Sequence, residues 1–238
     1  MIRLLIIAIF LVLFVVVTIP IALVAWIVGF FNSAARYSIA SATVNFALRI
    51  IFFLTGSKIS VTGMENIPDE SVLFIGNHNS YFDIVISYIT IKKRIGFVGK
   101  KELSMISGIN WWFIMLDCLF LDRSDPRKGL ETINKAADYI AKGISIFIFP
   151  EGTRSKNGEL GEFKEGSFKI AAKSNCPIVP VAITGTADIF ENHLPFIKSS
   201  DVTITFGKPI VTSSLSRMEK KTLGAMTRAS IEEMLNTK

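Results

Sequence analysis

The chain has 238 residues, half of them hydrophobic, and a formal net charge of +6. This length fits one catalytic domain with an appendage, because domains usually hold about 100 to 200 residues. Without Arg3, Arg36 and Arg49, the remaining 23 basic residues are set against 20 acidic ones, a balance that excludes a nucleic-acid-binding protein.

Two basic clusters, Lys92-Lys93-Arg94 and Lys100-Lys101, suit an anionic membrane surface or a phosphate-bearing substrate. A solvated helix end or loop explains the first cluster equally well. The two cysteines, Cys118 and Cys176, have neither metal-ligand nor redox spacing, so we expect reduced structural thiols and no metal.

The first predicted element is an apolar run from Leu4 to Phe31, and no charged residue occurs between Arg3 and Arg36. A bilayer core requires about 20 apolar helical residues, so this run can span or embed in a membrane. A cleaved signal peptide is the competing interpretation, but its apolar region would hold only about 7 to 15 residues.

A second apolar stretch, Phe46 to Leu54, is too short to span a bilayer alone. It either joins the membrane-associated region, which we favour, or packs on the catalytic domain. We expect residues 1–56 to form a membrane-anchoring helical region and residues 57–238 to form the catalytic domain. More basic residues follow the first run than precede it, which predicts a cell (inner) membrane protein with a cytoplasmic catalytic domain.

After Gly56 the pattern changes to short strands that alternate with helices. The predicted strands are Lys58 to Thr62, Val72 to Ile75, Gly96 to Val98, Leu119 to Leu121, Ile144 to Phe149, Ile178 to Ile183 and Val202 to Phe206. The predicted helices are Phe82 to Thr90, Arg127 to Ala141, Phe163 to Lys173 and Ser216 to Leu235. This alternation predicts an α/β fold: a mostly parallel sheet flanked by helices and preceded by the hydrophobic membrane helices.

The segment Asn77 to Asp83 places a histidine just after an apolar strand and an acid at the start of a helix. Ser80 and Asp83 have the spacing of a capping box. The Asp83 carboxylate could also reach back to one nitrogen of His78, which would leave the other nitrogen free to accept a proton from a hydroxyl. Taken alone, His78 is better explained as an ordinary loop histidine and Asp83 as a helix cap, because capping boxes are common.

The segment Phe149 to Ser155 also follows an apolar strand. Gly152 permits close backbone approach, Thr153 supplies a hydroxyl, and Arg154 can bind a phosphate with two parallel hydrogen bonds. Glu151 would repel a bare phosphate, so we expect it to position Arg154 or to bind a substrate hydroxyl. An ordinary turn with an exposed ion pair is the alternative. Both segments follow strand ends, so one cleft could hold both.

Four ordered blocks resemble the glycerolipid acyltransferases typified by 1-acylglycerol-3-phosphate acyltransferase. They are Asn77 to Asp83, Gly99 to Leu103, Phe149 to Ser155 and Ile178 to Val181, and the likeness covers roughly residues 61 to 210. The resemblance implies an α/β domain anchored to one leaflet, in which His78 acts as general base with Asp83 as its partner. The acyl donor would be an acyl thioester of coenzyme A or of acyl carrier protein, with no bound cofactor and no acyl-enzyme.

The resemblance also assigns the substrate sites. Glu151, Gly152, Thr153 and Arg154 would bind the glycerol phosphate with help from Lys100 and Arg123, and Val179, Pro180 and Val181 would line the acyl-chain pocket. The leading hypothesis is thus a membrane-bound enzyme that converts lysophosphatidic acid to phosphatidic acid in phospholipid biosynthesis. Another lysolipid acceptor is the first alternative, and a non-catalytic membrane-anchored lipid-binding protein is the second.

Overall fold

A computed structural model describes residues 1–106, 108–216 and 218–237 of the chain. Its centre is a seven-stranded sheet in the order β1-β7-β6-β2-β5-β3-β4. The strands are β1 (Lys58–Thr62), β2 (Leu73–Gly76), β3 (Ile95–Lys100), β4 (Leu119–Leu121), β5 (Ser145–Ile148), β6 (Ile178–Thr184) and β7 (Asp201–Phe206). All neighbouring strands run parallel except β6 and β7, which confirms the mostly parallel sheet.

Helices cover both faces of this sheet, as the sequence pattern predicted. They are α1 (Ile2–Val17), α2 (Ile19–Gly29), α3 (Ser33–Thr55), α4 (Phe82–Thr90), α5 (Ile109–Met115), α6 (Pro126–Ala141), α7 (Lys169–Ser174) and α8 (Leu223–Asn236). One hydrophobic cluster joins α3, α4 and α5 to the sheet, and a second joins α6, α7 and α8 to its other face. The central strands β2 and β5 are buried on both faces, which is why they read as continuous apolar runs.

The amino-terminal apolar run is not one helix. It breaks at Thr18, and the axes of α1 and α2 differ by 50°. Pro20 lies in the first turn of α2, where its missing N–H costs nothing because that group has no partner inside the helix. The bent pair together reaches the length and apolar composition of a membrane span.

The second apolar stretch, Phe46 to Leu54, belongs to a helix of 23 residues, so its treatment as a short separate segment was wrong. The preceding Ser/Ala-rich connection is helical because Asn32 caps it: its Oδ1 accepts the backbone N–H groups of Ala34 and Ala35, each at 3.0 Å. The helix ends at Gly56, whose φ of 72° suits glycine. By length and composition α3 can cross a bilayer.

Differences from the predicted elements occur where the chain leaves the sheet. The sequence pattern missed α5, and the helix predicted from Phe163 divides into a 3₁₀ turn (Glu165–Phe168) and α7. The helix predicted from Ser216 begins, as an α-helix, only at Leu223, and Arg217 lies outside the described residues. Both cysteines are buried and unpaired with each other.

Candidate active site

His78 and Asp83 lie at the carboxyl end of β2, in the loop before α4 and in the first turn of that helix. His78 Nδ1 is 2.9 Å from Asp83 Oδ2, and the Asp83 side chain is fully buried while that of His78 is 15% exposed. An ionised carboxylate only accepts hydrogen bonds, so Nδ1 carries the hydrogen of this contact. The lone pair is therefore on Nε2, as a general base requires.

The Asp83 carboxylate is held by three further donors. Its Oδ2 accepts the backbone N–H groups of Asn79 at 2.6 Å and Ser80 at 2.7 Å, and its Oδ1 accepts the Thr186 hydroxyl at 2.5 Å. Ser80 Oγ in turn accepts the N–H of Phe82 at 3.0 Å, so the predicted capping box is present in a modified form. These bonds fix the carboxylate that orients the His78 ring.

The ring plane of His78 is set by Phe149, which follows β5. The two rings stack with centroids 4.1 Å apart and an interplanar angle of 16°. The preceding Asn77 ties the end of β2 to β6, because its amide donates to the carbonyl of Ile183 and accepts its N–H, each at 2.8 Å. Backbone and aromatic contacts thus hold the imidazole in one orientation.

Glu151 joins the two sequence motifs directly. Its Oε1 accepts the backbone N–H of His78 at 2.8 Å, and its Oε2 accepts that of Gly161 at 2.9 Å. Burial raises the pKa of Glu151, although these two N–H groups act in the opposite direction. The expectation that Glu151 positions Arg154 was wrong, since both of its carboxylate oxygens hold backbone loops.

Arg154 pairs instead with Glu191, a residue that the sequence pattern did not nominate. Arg154 Nη1 is 2.7 Å from Glu191 Oε1, and the guanidinium lies 3.7 Å from the centroid of the Tyr81 ring. Glu191 also accepts the Ser80 hydroxyl at 2.6 Å and the Tyr81 N–H at 2.9 Å. The sequence signal for Glu191 was its position, a few residues beyond the carboxyl end of β6, where open α/β sheets bind ligands.

Thr153 and Arg154 line an open cleft of about 1070 Å³, together with Asn79 and Glu191. Thr153 is exposed, so its hydroxyl is available to a ligand. Gly152 has a φ of 74°, a left-handed conformation that favours glycine. The turn after β5 therefore directs one hydroxyl and one guanidinium towards the same open space, next to the His78 loop.

The two predicted auxiliary cations, Arg123 and Lys100, differ in their contacts and in the space that they face. Arg123 donates to the carbonyl of Gly152 and lines a separate cavity of about 350 Å³ whose walls include Val98 and Ile148. Lys100 pairs with Glu102 at 3.1 Å and lines neither this cavity nor the cleft. The fold brings Arg123 to the Glu-Gly-Thr-Arg turn and leaves Lys100 at the exposed end of β3.

The residues predicted to line the acyl-chain pocket, Val179, Pro180 and Val181, are buried within β6. The strand is flanked by β2 on one side and β7 on the other, and both valines belong to the hydrophobic cluster under α3 and α4. None of the three lines the cleft or the cavity at Arg123. Strand pairing therefore places the three predicted pocket residues in the core of the sheet, away from both openings.

Comparison with known proteins agrees with this geometry. A family model described as Acyltransferase matches residues 58–184, which include both motifs. A 1-acyl-sn-glycerol-3-phosphate acyltransferase of Borreliella burgdorferi is 35% identical over 191 residues, covering 80% of this chain and 76% of the relative. A chloroplast enzyme of the same name from Brassica napus is 36% identical over 159 residues, covering 66% of this chain; the chain spans about half (46%) of that relative.

The fold has a counterpart among solved structures. The crystal structure of the 1-acyl-sn-glycerophosphate acyltransferase of Thermotoga maritima superposes with a TM-score of 0.77 at 25% sequence identity. The match covers 100% of this chain and 98% of that protein, so it includes the amino-terminal helices. The histidine and arginine motifs, the sheet that presents them and these relatives agree: the chain belongs to the acyltransferase family.

Proposed function

We propose that this protein transfers a fatty acyl group from an acyl thioester to the sn-2 hydroxyl of 1-acylglycerol-3-phosphate, forming phosphatidic acid. The observation that carries the proposal is the 2.9 Å contact between His78 Nδ1 and the buried, fully hydrogen-bonded Asp83. The names of the relatives from Borreliella burgdorferi and Thermotoga maritima support the acceptor.

In this reaction His78 Nε2 removes the proton of the acceptor hydroxyl as the oxygen attacks the thioester carbonyl. The C–S bond breaks, the new ester forms, and the imidazolium returns the proton to the departing thiolate. The role of Asp83 is to hold the ring and to stabilise the imidazolium that forms between these steps. Attack by the substrate's own hydroxyl needs no enzyme nucleophile, and Cys118 and Cys176 are buried in the core.

We assign the acceptor phosphate to Arg154 and Thr153 at the cleft. A guanidinium offers a planar pair of donors to phosphate, and Thr153 adds one hydroxyl. Gly152 allows the backbone to approach the ligand, while Glu151 positions the loops around it rather than contacting the phosphate. The Arg123 guanidinium, which lines the neighbouring cavity, supplies a second cation for the anionic substrates.

The donor is an acyl thioester of coenzyme A or of acyl carrier protein, used as a co-substrate, and the proposal includes no bound cofactor. The acceptor and product are lipids, so attachment to a membrane keeps both within reach of the enzyme. The exposed apolar side chains of α1 and α2 fit this attachment. The remaining parts of the proposal are a role in phospholipid biosynthesis and a location on the cytoplasmic side of the cell (inner) membrane.

The test is acyl transfer by the purified full chain in neutral detergent micelles. Labelled palmitoyl coenzyme A and palmitoyl acyl carrier protein are each offered with a panel of lysolipids that includes lysophosphatidic acid, lysophosphatidylglycerol and lysophosphatidylcholine. We expect phosphatidic acid as the main product, and its loss in a His78→Ala variant that keeps the circular dichroism spectrum and thermal midpoint of the wild type. Preference for another lysolipid would contradict 1-acylglycerol-3-phosphate as the acceptor. Near-normal turnover by His78→Ala would contradict the assignment of His78 as the general base.

A further inference from the structure

The basic cluster Lys92-Lys93-Arg94 lies far from the chemistry described above. It precedes β3 and is therefore at the amino end of the parallel strands, whereas His78 and Glu151 follow carboxyl ends. Beside it runs α3, whose Ser38, Ser41, Asn45 and Arg49 recur every three or four residues and share one helix face. Two adjoining pockets lie here: one on the surface of α3 alone, and an open cleft between α3 and residues 88–95.

This cleft, here called the α3 cleft, is lined by Ser41, Asn45, Arg49, Tyr88 and Lys92 among other residues. Its volume is about 220 Å³, and the adjoining pocket on α3, which shares Ser41, Asn45 and Arg49 with it, has a volume of about 550 Å³. The walls thus combine hydroxyls, an amide and cations. A polar, positively charged lining of this kind suits an anion with several acceptor oxygens.

The charges at the α3 cleft are only partly neutralised within the protein. Asp117 is the carboxylate that pairs with Arg36 and Arg94, and Lys93 donates to the backbone carbonyls of residues 68–70 near Asp69 and Glu70. Arg49 binds the Ile89 carbonyl at 2.8 Å and the Asn45 amide oxygen at 2.6 Å. Within the described ranges, Arg49 and Lys92 form no ion pair, so two positive charges face this space without a carboxylate.

A second observation points to a ligand. The Tyr88 hydroxyl is buried, and in the described part of the chain it has no hydrogen-bond partner. The Tyr37 and Ser41 side chains are its polar neighbours, but neither has the distance and angle of an ordinary hydrogen bond with it. Burial raises the pKa of Tyr88, so the hydroxyl keeps its proton and remains a donor. A buried donor without an acceptor destabilises the folded protein, and an anionic ligand that accepts its hydrogen bond would remove that cost.

We propose that the α3 cleft binds the phosphate headgroup of an anionic phospholipid of the surrounding membrane, with Tyr88, Lys92 and Arg49 as its ligands. Exposed phenylalanine side chains on α3 favour a lipid over free phosphate as the occupant of the cleft. Phe46 is 67% exposed and lines the adjoining pocket next to Arg49, and Phe53 is 80% exposed one heptad further along. A cation beside exposed aromatic rings is the arrangement of a membrane interface, where the acyl tails cover the rings.

The test uses the purified full chain in neutral detergent micelles, and the readout is the thermal midpoint as a function of added ligand. The probes are dihexanoyl phosphatidylglycerol, dihexanoyl phosphatidylcholine and inorganic phosphate. A ligand that binds only the folded state raises the midpoint in proportion to its occupancy. We expect phosphatidylglycerol to raise it at lower concentrations than either other probe. An equal response to phosphatidylcholine would refute charge recognition, and an equal response to inorganic phosphate would refute the lipid as occupant.

Two variants locate the site. Tyr88→Phe removes only the unpaired hydroxyl, so its midpoint without lipid should equal or exceed that of the wild type. Its half-saturating phosphatidylglycerol concentration should rise about tenfold, the usual consequence of losing one hydrogen bond to a charged group. Lys92→Ala should act similarly, while Tyr139→Phe and Lys142→Ala, on α6 and at its end, should not.

Binding at the active site is a separate possibility that the design resolves. An Arg154→Ala variant should keep the phosphatidylglycerol response, because its guanidinium is at the opposite end of the sheet. Loss of the response in Arg154→Ala together with its retention in Tyr88→Phe and Lys92→Ala would assign the lipid to the catalytic cleft and overturn the proposal.

Discussion

The Glu151 carboxylate accepts the backbone N–H of His78 at 2.8 Å, so the two motifs of the active site are joined by a hydrogen bond. The same side chain accepts the Gly161 N–H at 2.9 Å. A residue that looked like a substrate ligand is thus part of the frame that holds the proposed base. The position of His78 depends on a side chain 73 residues away in sequence.

Replacement of Glu151 by Gln tests this connection. The amide of glutamine would present a donor to one of the two backbone N–H groups, so one hydrogen bond is lost and the His78 loop shifts. We expect kcat to fall about 10- to 100-fold, as is usual when a catalytic group is slightly misplaced, with little change in the KM of either substrate. The exposed Glu159→Gln is the control. A change confined to the acceptor KM would instead indicate that Glu151 contributes to binding the acceptor phosphate.

Replacement of Asp83 by Asn tests the orientation of the proposed base. The neutral amide cannot stabilise the imidazolium, and an NH₂ group turned towards Nδ1 would face the backbone N–H groups of Asn79 and Ser80. We expect kcat to fall by about 10² to 10⁴ while the protein stays folded. Steady-state kinetics and the thermal midpoint are measured side by side. A variant with more than half the wild-type kcat would contradict the partnership of His78 and Asp83.

Arg154→Ala tests the proposed phosphate contact. Losing a hydrogen-bonded cation should raise the acceptor KM about 10- to 100-fold and leave the thioester KM nearly unchanged. Arg154→Lys should recover only part of the affinity, because an ammonium lacks the planar pair of donors. Equal effects on both KM values would indicate that Arg154 holds the loop at Ser80 and Tyr81 in place through Glu191 and does not bind the acceptor phosphate.

Val179→Ala tests whether strand β6 contributes to an acyl-chain pocket. Because Val179 is fully buried inside the sheet, removing two methyl groups should destabilise the protein by about 1 to 3 kcal/mol. The preference among acyl thioesters of different chain length should not change. Chemical unfolding and a series of saturated acyl donors give the two readouts. A shift in the preferred acyl-chain length would indicate that β6 does line the acyl-chain pocket.

Asp122 provides a test by pH. It accepts Lys101 Nζ at 2.8 Å and the Ser124 hydroxyl at 2.6 Å, and these contacts hold the pKa of Asp122 well below its usual range. A carboxylate whose pKa is lowered by folding stabilises the protein above its unfolded pKa of about 4 and loses that contribution as the pH falls further. The midpoint difference between wild type and Asp122→Asn should therefore shrink below about pH 4. A pH-independent difference would refute the assignment.

Local sequence was sufficient for the seven strands, for helix α4 and for the pair His78 and Asp83. Strand β4 and helix α4 have the predicted bounds, because their side-chain pattern and turn residues are local signals. His78 and Asp83 are five residues apart, so a helix start alone brings them together. The apolar amino terminus likewise follows from composition, although its break at Thr18 depends on how α1 and α2 pack.

Only the tertiary structure decided what Glu151, Glu191 and Val179 do. A carboxylate beside an arginine in sequence gives no sign of whether it faces that arginine or a loop across the sheet. Glu191 reaches Arg154 because β6 and β5 flank β2, and strand order is a property of the whole chain. The sequence by itself therefore determined the strands, the apolar amino terminus and the histidine-aspartate pair, since these rest on neighbours in the chain. The contacts that hold the pair in place join distant residues, and they exist only because the sheet brings three strand ends to one edge.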